Sequence, residues 1–284
     1  QADHFLGALA FSHALNRTLI LPPWVEYRKG ELKSVQVPFD EYFRVDALLK
    51  FTKVITMEKF MQQLAPKVWP AEKRISFCYM ERMKLDGTSS KSCNAKEGNP
   101  FFSFWETFQV DFIDSEFFGP SLNYDVVHRG MDVLWNEKYK AEKWPVLAFT
   151  GAPASFPVQS ENTHLQKYLR WSPAIAKKAQ DFVQRFLPKG AYIAIHLRNG
   201  IDWVRACEHI KDVKNLFASA QCLGYNNEKG DLTMDICMPL QEMVLRKIKR
   251  VIKRVKEGQK DNQIKSIYVA SDNNHHVEYL NEQL

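Results

Sequence analysis

The chain alternates between stretches in which apolar residues recur every three or four positions and short runs in which they are continuous. Residues 1–15 have the helical spacing and predict an amphipathic helix, and residues 18–21 then predict a short strand that ends before Pro22. Residues 53–56 predict a second strand, and residues 57–64 predict the helix that follows it. Helices that alternate with short apolar strands indicate an α/β fold.

The second half of the chain repeats this alternation. Ser172 and Pro173 predict the start of a helix that runs to Phe186. Residues 191–197 and 267–270 are continuous apolar runs that predict strands, and residues 276–284 predict a final helix.

The polar stretch at residues 159–164 lies between these halves. It predicts a domain boundary near residue 165, with a first domain at residues 1–165 and a second at residues 166–284. Both ends of the chain fall within predicted helices, so we expect the α/β pattern to continue beyond them. On this expectation the first domain lacks its first strand and the second domain is incomplete.

Two segments of the first half depart from the alternation. Residues 69–120 are aromatic and irregular and predict an elaborated loop region beside a cleft, although the aromatic side chains can equally serve to pack a large loop down. Residues 145–150 predict a buried strand, and the turn-rich residues 151–157 then predict a place where the backbone approaches a ligand closely.

Composition indicates a folded globular protein, since 45% of residues are hydrophobic and 25% are charged. No apolar run is long enough to predict a membrane span. The net charge of +6 comes mostly from one predicted helix, in which the basic residues surround an apolar stripe. These basic residues are Arg246, Lys247, Lys249, Arg250, Lys253, Arg254 and Lys256. Because no aromatic residue is interleaved among them, we interpret this face as solvated and predict no nucleic-acid partner.

The chain has five cysteines, with no C-x-x-C pair and no histidine at zinc-finger spacing, so we predict no metal site. Cys78 and Cys93 flank a polar stretch at residues 84–91 that predicts an exposed loop. This arrangement favours a protein with disulfides, and the alternative is that the cysteines are buried thiols. Disulfides indicate an oxidising, secretory compartment. Asn16-Arg17-Thr18 is a glycosylation sequon, which gives a second indication of that compartment.

Chemistry is concentrated where two predicted strands end. The strand at residues 191–197 leads into His196, Arg198 and Asp202, and the strand at residues 267–270 leads into Ser271 and Asp272. Ligands of open α/β sheets bind at the carboxyl ends of strands, and a guanidinium matches a diphosphate. The spacing alone leaves open the alternative that the arginine and the aspartate form only a structural ion pair.

The motifs that are absent limit the class of reaction. The chain has no G-x-x-x-x-G-K-S/T, G-x-G-x-x-G, G-x-S-x-G or H-E-x-x-H motif, which argues against P-loop, dehydrogenase, hydrolase and zincin activities. It also has no Asp-x-Asp motif to hold a divalent ion on a nucleotide diphosphate. A sugar-nucleotide enzyme built on this chain would therefore neutralise its leaving group with arginine.

Several motifs occur in the order found in protein O-fucosyltransferases, and the chain resembles that family along its whole length. They are Gln1-Ala2-Asp3-His4-Phe5-Leu6-Gly7, Asn16-Arg17-Thr18, Lys96-Glu97-Gly98-Asn99-Pro100-Phe101, Gly151-Ala152-Pro153-Ala154, Gln166-Lys167-Tyr168 and His196-Leu197-Arg198 through Asp202-Trp203. The resemblance implies a GT-B arrangement of two Rossmann-like domains that face a donor cleft. It also implies inverting transfer of fucose from GDP-β-L-fucose to Ser or Thr of epidermal-growth-factor-like (EGF-like) repeats in Notch-type proteins. Residence in the endoplasmic reticulum lumen is implied as well, with no required cofactor and no essential divalent metal.

The resemblance also implies roles for individual residues. Arg198 is expected to be the catalytic residue that contacts the donor phosphates, and His196 and Asp272 are expected near the guanosine, with Asp202 and Ser271 completing the donor site. No side chain of the motif is an obvious general base. The family's Gly-rich loop and its Ser/Thr-Phe segment, which also hold the diphosphate, are expected outside this chain, so this stretch alone should not turn over.

The cysteine pairings implied by the resemblance are Cys78–Cys93 and Cys207–Cys237, with Cys222 left to pair with a cysteine outside the chain. Two alternatives to the proposed activity stay open at this point. One is a lumenal chaperone that binds EGF-like repeats without chemistry, and the other is a transferase that uses a different sugar nucleotide.

Overall fold

The structure is a computed structural model that describes residues 2–28, 30–80, 92–98, 100–212, 223–224, 227–258 and 263–284. It forms two compact units, Gln1–Ala176 and Lys177–Leu284. The division falls after the predicted boundary near residue 165 because Leu165 and Leu169 are buried in the core of the first unit. The domain limits 1–165 and 166–284 remain a prediction, since the two compact units describe contacts within the structure and do not test those limits.

The first unit contains short helices and strands in alternation. Its helices are α1 (Ala2–Ala14), α2 (Phe39–Tyr42), α3 (Val45–Leu48), α4 (Met57–Gln63), α5 (Ala65–Val68), α6 (Phe101–Thr107) and α7 (Met131–Lys138), with 3-10 helices at Ala71–Lys73 and Ser160–Tyr168. Its strands are β1 (Leu19–Leu21), β2 (Trp24–Glu26), β3 (Val35–Val37), β4 (Val54–Thr56), β5 (Ile75–Cys78), β6 (Asp114–Phe117) and β7 (Ala148–Phe149).

These strands form three small sheets. β1 pairs with β4 in parallel, β2 pairs with β3 antiparallel, and β6, β5 and β7 form a parallel sheet with β5 in the middle. A parallel pair needs a crossover connection, and the segment between β1 and β4, which contains α2 and α3, provides it.

Helix α1 is the centre of the first unit. The predicted helix is confirmed, but it is buried on more sides than an amphipathic helix would be. Phe5, Leu6 and Leu9 join one core cluster with Leu165, and Phe11 lies in a second cluster, 5.3 Å from the Trp135 ring centroid. A helix that is apolar all round is an interior helix.

The prediction that residues 69–120 form a loop region is wrong. This segment supplies β5, the middle strand of the parallel sheet, as well as α6 and β6. Periodicity missed β5 because it is four residues long and contains a serine; Ser76 is nonetheless 1% exposed, and its hydroxyl lies 3.0 Å from that of Ser115. Some aromatic residues of the segment pack inward, and Trp105 is buried beside Trp69 and Val110, whereas Phe101 and Phe102 are exposed.

The second unit and the stretch that leads into it form a simpler arrangement. The helices are α8 (Pro173–Phe186), α9 (Ile201–Glu208), α10 (Met234–Cys237), α11 (Gln241–Gly258) and α12 (Val277–Gln283), with a 3-10 helix at His209–Lys211. The strands are β8 (Ala191–Leu197) and β9 (Ile264–Ser271), and they pair in parallel. The predicted mixed α/β fold with parallel strands is therefore confirmed in both units.

One face of the β8–β9 pair is covered by α11 and α12. Ile193 and Ile195 of β8 pack in a cluster with Val244, Ile248 and Leu280 from these helices. The apolar stripe predicted for α11 thus faces the sheet, and its basic residues face outward. In the described part of the chain, no helix combines the length and the apolar character that crossing a membrane requires.

Candidate functional site

The carboxyl ends of β8 and β9 lie side by side. In the register of the pair, His196 is opposite Ala270 and Leu197 is opposite Ser271. The loops that follow the two strands therefore leave the sheet at the same edge, which is where ligands of parallel sheets bind. His196 is exposed, on the face of β8 opposite Ile195 and away from the helix-covered side.

Arg198 follows β8 directly and lies between two carboxylates. Its Nη2 donates to Oδ2 of Asp202, and its Nε lies 3.4 Å from Oδ2 of Asp272. Its side chain is 51% exposed, so the fork is oriented by its partners but open to a ligand. The structure brings Arg198, Asp202, Ser271 and Asp272 together, whereas, among the residues that the structure describes, the His196 side chain makes no hydrogen bond with these four residues.

Asp272 is held by the backbone of the neighbouring loop. Its Oδ1 accepts a hydrogen bond from the Asn199 N–H at 2.8 Å. That bond chiefly, with the charge of Arg198 and the N–H of Gly200 adding to it, lowers the pKa of the Asp272 carboxyl. Because hydrogen bonds to the charged form favour it, this carboxylate stays ionised below the pH at which a free aspartate takes up a proton.

Sequence reasoning missed the asparagines that join the two loops. The Asn199 side chain donates from Nδ2 to the Asn274 carbonyl at 2.7 Å and accepts at Oδ1 from the Ser271 hydroxyl at 2.6 Å. Nδ2 of Asn273 in turn donates to the Asn199 carbonyl at 3.3 Å. The available signal was the pair of asparagine-containing turns that follow the two strands, since asparagine side chains commonly hydrogen-bond to the backbone of turns.

Helix α9 carries Asp202 in its first turn and is anchored near both ends. The Trp203 indole N–H donates to the Cys237 carbonyl at 2.8 Å, and a disulfide joins Cys207 to Cys237 with the Cα atoms 5.9 Å apart. Both cysteines are buried in a small cluster with Leu232. The disulfide therefore joins α9, the helix that carries Asp202, covalently to α10.

The first unit contains the other disulfide that the resemblance implied. It joins Cys78 to Cys93, whose Cα atoms are 6.0 Å apart. Cys222 and the predicted loop at residues 84–91 lie outside the described residues. The part of the chain that the structure describes contains no group of three or more His, Cys, Asp or Glu residues placed to hold a metal ion.

The predicted ligand-approach segment at residues 151–157 lies against the start of α1. A Cβ built on Gly7 would come within 2.5 Å of the Ala154 Cβ, and Oδ2 of Asp3 accepts from the Val158 N–H at 3.4 Å. The helix and this segment therefore approach each other at a distance that only glycine permits at position 7.

A substitution at Gly200 tests the carboxylate arrangement directly. A Cβ there would lie 2.8 Å from Oδ2 of Asp272 and 3.0 Å from Oδ1 of Asp202. We expect Gly200→Ala to push both carboxylates away from Arg198 and to weaken binding of a diphosphate ligand about tenfold, a change of roughly 1.4 kcal/mol, as measured by calorimetry. The backbone there has φ −67°, which alanine adopts without strain, so the effect would come from the side chains alone.

Gly258→Ala is the matched control, because a Cβ at Gly258 meets nothing within 4 Å. Equal affinity for the diphosphate ligand in the Gly200→Ala variant and the control would show that the positions of the two carboxylates do not matter for binding.

Comparison with known proteins places this arrangement in a family. The family described as GDP-fucose protein O-fucosyltransferase matches residues 1–284. GDP-fucose protein O-fucosyltransferase 1 of Caenorhabditis elegans is 42% identical over 288 aligned residues, which cover 100% of this chain and 72% of that relative.

Solved structures agree with the sequence match. The crystal structure of POFUT1 in complex with GDP-fucose, in crystal form II, has a TM-score of 0.84 and 41% identity, over 99% of this chain and 77% of that chain. POFUT1 in complex with GDP, in crystal form III, has a TM-score of 0.82 and 40% identity, over 99% of this chain and 78% of that chain. The likeness confirms the GT-B-like α/β fold. Because the family match spans residues 1–284 and a curated relative is 42% identical, this chain belongs to the GDP-fucose protein O-fucosyltransferase family.

Proposed function

We propose that this peptide O-fucosyltransferase transfers fucose from GDP-β-L-fucose, with inversion, to Ser or Thr hydroxyls of folded EGF-like repeats in Notch-type proteins. The observation that carries the donor side of the proposal is the Arg198 guanidinium, held by Asp202 and Asp272 at the carboxyl ends of two parallel strands. POFUT1, to which the chain is similar, has been solved with GDP-fucose.

Arg198 supplies the electrostatic part of the mechanism. As the bond from fucose to GDP breaks, negative charge grows on the departing diphosphate and the sugar becomes oxocarbenium-like. A planar fork of donors that is already oriented stabilises that charge without reorganising at the moment of reaction. The acceptor hydroxyl attacks from the opposite face of the sugar, which inverts its configuration, and the hydroxyl proton is released to water as the new bond forms.

Asp202 and Asp272 orient the guanidinium. Asp272 uses Oδ1 for the Asn199 N–H and places Oδ2 near Arg198, so its remaining lone pairs are those available to the guanosine. His196, exposed beside the same edge of the sheet, is proposed as a second nucleoside contact. The catalytic charge is thus supplied by arginine, and we propose that no cofactor and no divalent metal are required.

We also propose that the protein works in the endoplasmic reticulum lumen and carries a glycan on Asn16. The two disulfides favour an oxidising compartment. Asn16 is exposed just after α1, while the neighbouring Arg17 points inward and donates to the Trp144 carbonyl at 2.7 Å. The amide of the sequon is therefore accessible although its middle residue is anchored.

Two other functions are less well supported. A pure chaperone for EGF-like repeats is not favoured, because the family to which the chain belongs consists of transferases. A transferase for another sugar nucleotide is disfavoured by the likeness to a protein solved with GDP-fucose.

The proposal is tested by fucose transfer to a folded EGF-like repeat with the full-length protein. We expect labelled fucose to be transferred from GDP-fucose, also in excess EDTA. With GDP-mannose or UDP-sugars as donors, we expect transfer of their own sugars to be about 100-fold slower. The same repeat after reduction and alkylation is the matched acceptor control. Equal labelling of the reduced repeat would overturn the folded-acceptor part, loss of transfer in EDTA would overturn the metal-independent part, and binding of the repeat without transfer would favour the chaperone.

A further inference from the structure

Asn199 connects the two loops of the candidate site through every polar group that it has. Its backbone N–H bonds to Asp272, its Nδ2 to the Asn274 carbonyl, its Oδ1 to the Ser271 hydroxyl, and its own carbonyl to Nδ2 of Asn273. One residue of the loop after β8 thus contacts all four residues at positions 271–274.

This network lies at the surface and not in the core. Asp272, Asn273 and Asn274 are exposed and Asn199 is half-buried. The apolar cluster that stabilises the sheet lies on its other side, under α11 and α12. The Asn199 side chain therefore fixes the two loops relative to each other, and it contributes little to the packing of the second unit.

The relative position of the loops determines the surroundings of Arg198. Asp202 lies only four residues after Arg198, so the contact between the two does not depend on the loop after β9. Asp272 belongs to the other loop, and its contact with Nε of Arg198 is the longer one, at 3.4 Å. Directional hydrogen bonds between the loops are what hold that second carboxylate in place.

We propose that Asn199 is a positioning residue for the donor diphosphate: it sets the loop after β9 so that Asp272 and Asp202 together orient the Arg198 fork. The proposal deepens the proposed function and rests on GDP-fucose being the donor. Positioning of this kind matters because electrostatic catalysis depends on the angle and distance of a charge that is already in place.

The test is Asn199→Ala in the full-length protein, with GDP affinity measured by calorimetry and KM measured separately for GDP-fucose and for a folded EGF-like repeat. Two side-chain hydrogen bonds are lost, so we expect the Kd for GDP and the KM for GDP-fucose to rise about tenfold. The KM for the repeat and the melting temperature should stay near the parent values.

Asn281→Ala is the matched control, because it removes an exposed asparagine amide from α12, outside the network that joins the two loops. We expect its GDP affinity to stay within about twofold of the parent. Ser271→Ala gives a second check, since its hydroxyl donates to Asn199. If the two residues act through one bond, the loss of GDP affinity in the double variant should be much smaller than the product of the two single losses.

Two results would overturn the proposal. One is a GDP affinity of Asn199→Ala within twofold of the parent, and the other is an equal rise in the KM values for donor and repeat, which would indicate general disruption. Failure of the proposed function has a different signature, because the parent itself would then neither bind GDP nor transfer fucose.

Discussion

Arg198→Ala is expected to lower the kcat of fucose transfer about 10³-fold, the loss typical of removing one preorganised group that stabilises a developing negative charge. Asp202 and Asp272 would then face each other without the cation that both contact. The two carboxylates would repel an incoming diphosphate, so we expect weaker GDP binding as well. Transfer of labelled fucose and calorimetric titration with GDP measure the two effects.

Two further variants separate the charge of Arg198 from its shape. Arg198→Lys keeps the charge but loses the planar fork, and we expect it to recover only a small part of the activity. Arg205→Ala removes an exposed arginine from α9 and should leave transfer unchanged. If Arg198→Ala retained parental kcat while the Arg205 control was also active, the leaving group would have to be stabilised elsewhere.

Removal of the Cys207–Cys237 disulfide by Cys207→Ala/Cys237→Ala is expected to destabilise the second unit by about 3–4 kcal/mol. The bridge closes a 30-residue separation in the chain and fixes the carboxyl end of α9, while the Trp203 indole bonds to the same Cys237 from the first turn. Because Asp202 lies in the first turn of that helix, GDP binding should weaken together with stability. Hydrogen exchange of the β8 and β9 amides reports the stability of this unit by itself.

The other disulfide is the matched control. Cys78→Ala/Cys93→Ala opens a 15-residue separation in the first unit, for which the loop-entropy estimate is about 3 kcal/mol. We expect it to increase exchange in β5 and β6 and to leave exchange in β8 and β9 unchanged. If both double variants weakened GDP binding equally, the effect would not arise from α9.

The sequence predicted the elements whose patterns are long or uninterrupted. Helix α11 was readable because its apolar residues recur over five turns, and β8 because seven apolar-rich residues lie between two turns. Strand β5 was not readable, since four residues define no period and its buried Ser76 is compensated by a serine that is distant in sequence. A short strand in the middle of a sheet is defined by the strands that pair with it, and the spacing of apolar residues along the sequence carries no information about that pairing.

The same distinction applies to the site. Arg198, Asp202 and Asp272 became candidates because charged residues after apolar strands stand out, and the family resemblance then implied their roles. The ion pair that the spacing left open as an alternative is present, and in the proposed mechanism its carboxylates orient the guanidinium. Asn199 was missed because its importance comes from bonds to residues more than seventy positions away.

The central place of α1 has a consequence for synthesis on the ribosome. Its buried residues contact Trp135, Phe149 and the segment that contains Leu165, all of which are translated much later. At typical elongation rates of about 5–20 residues per second, the roughly 150 intervening residues take on the order of 8–30 s to emerge. During that interval Phe5 can already pack against Phe39, but Phe11 still lacks the rings of Trp135 and Phe149, so one side of the helix stays uncovered until the later part of the first unit is made.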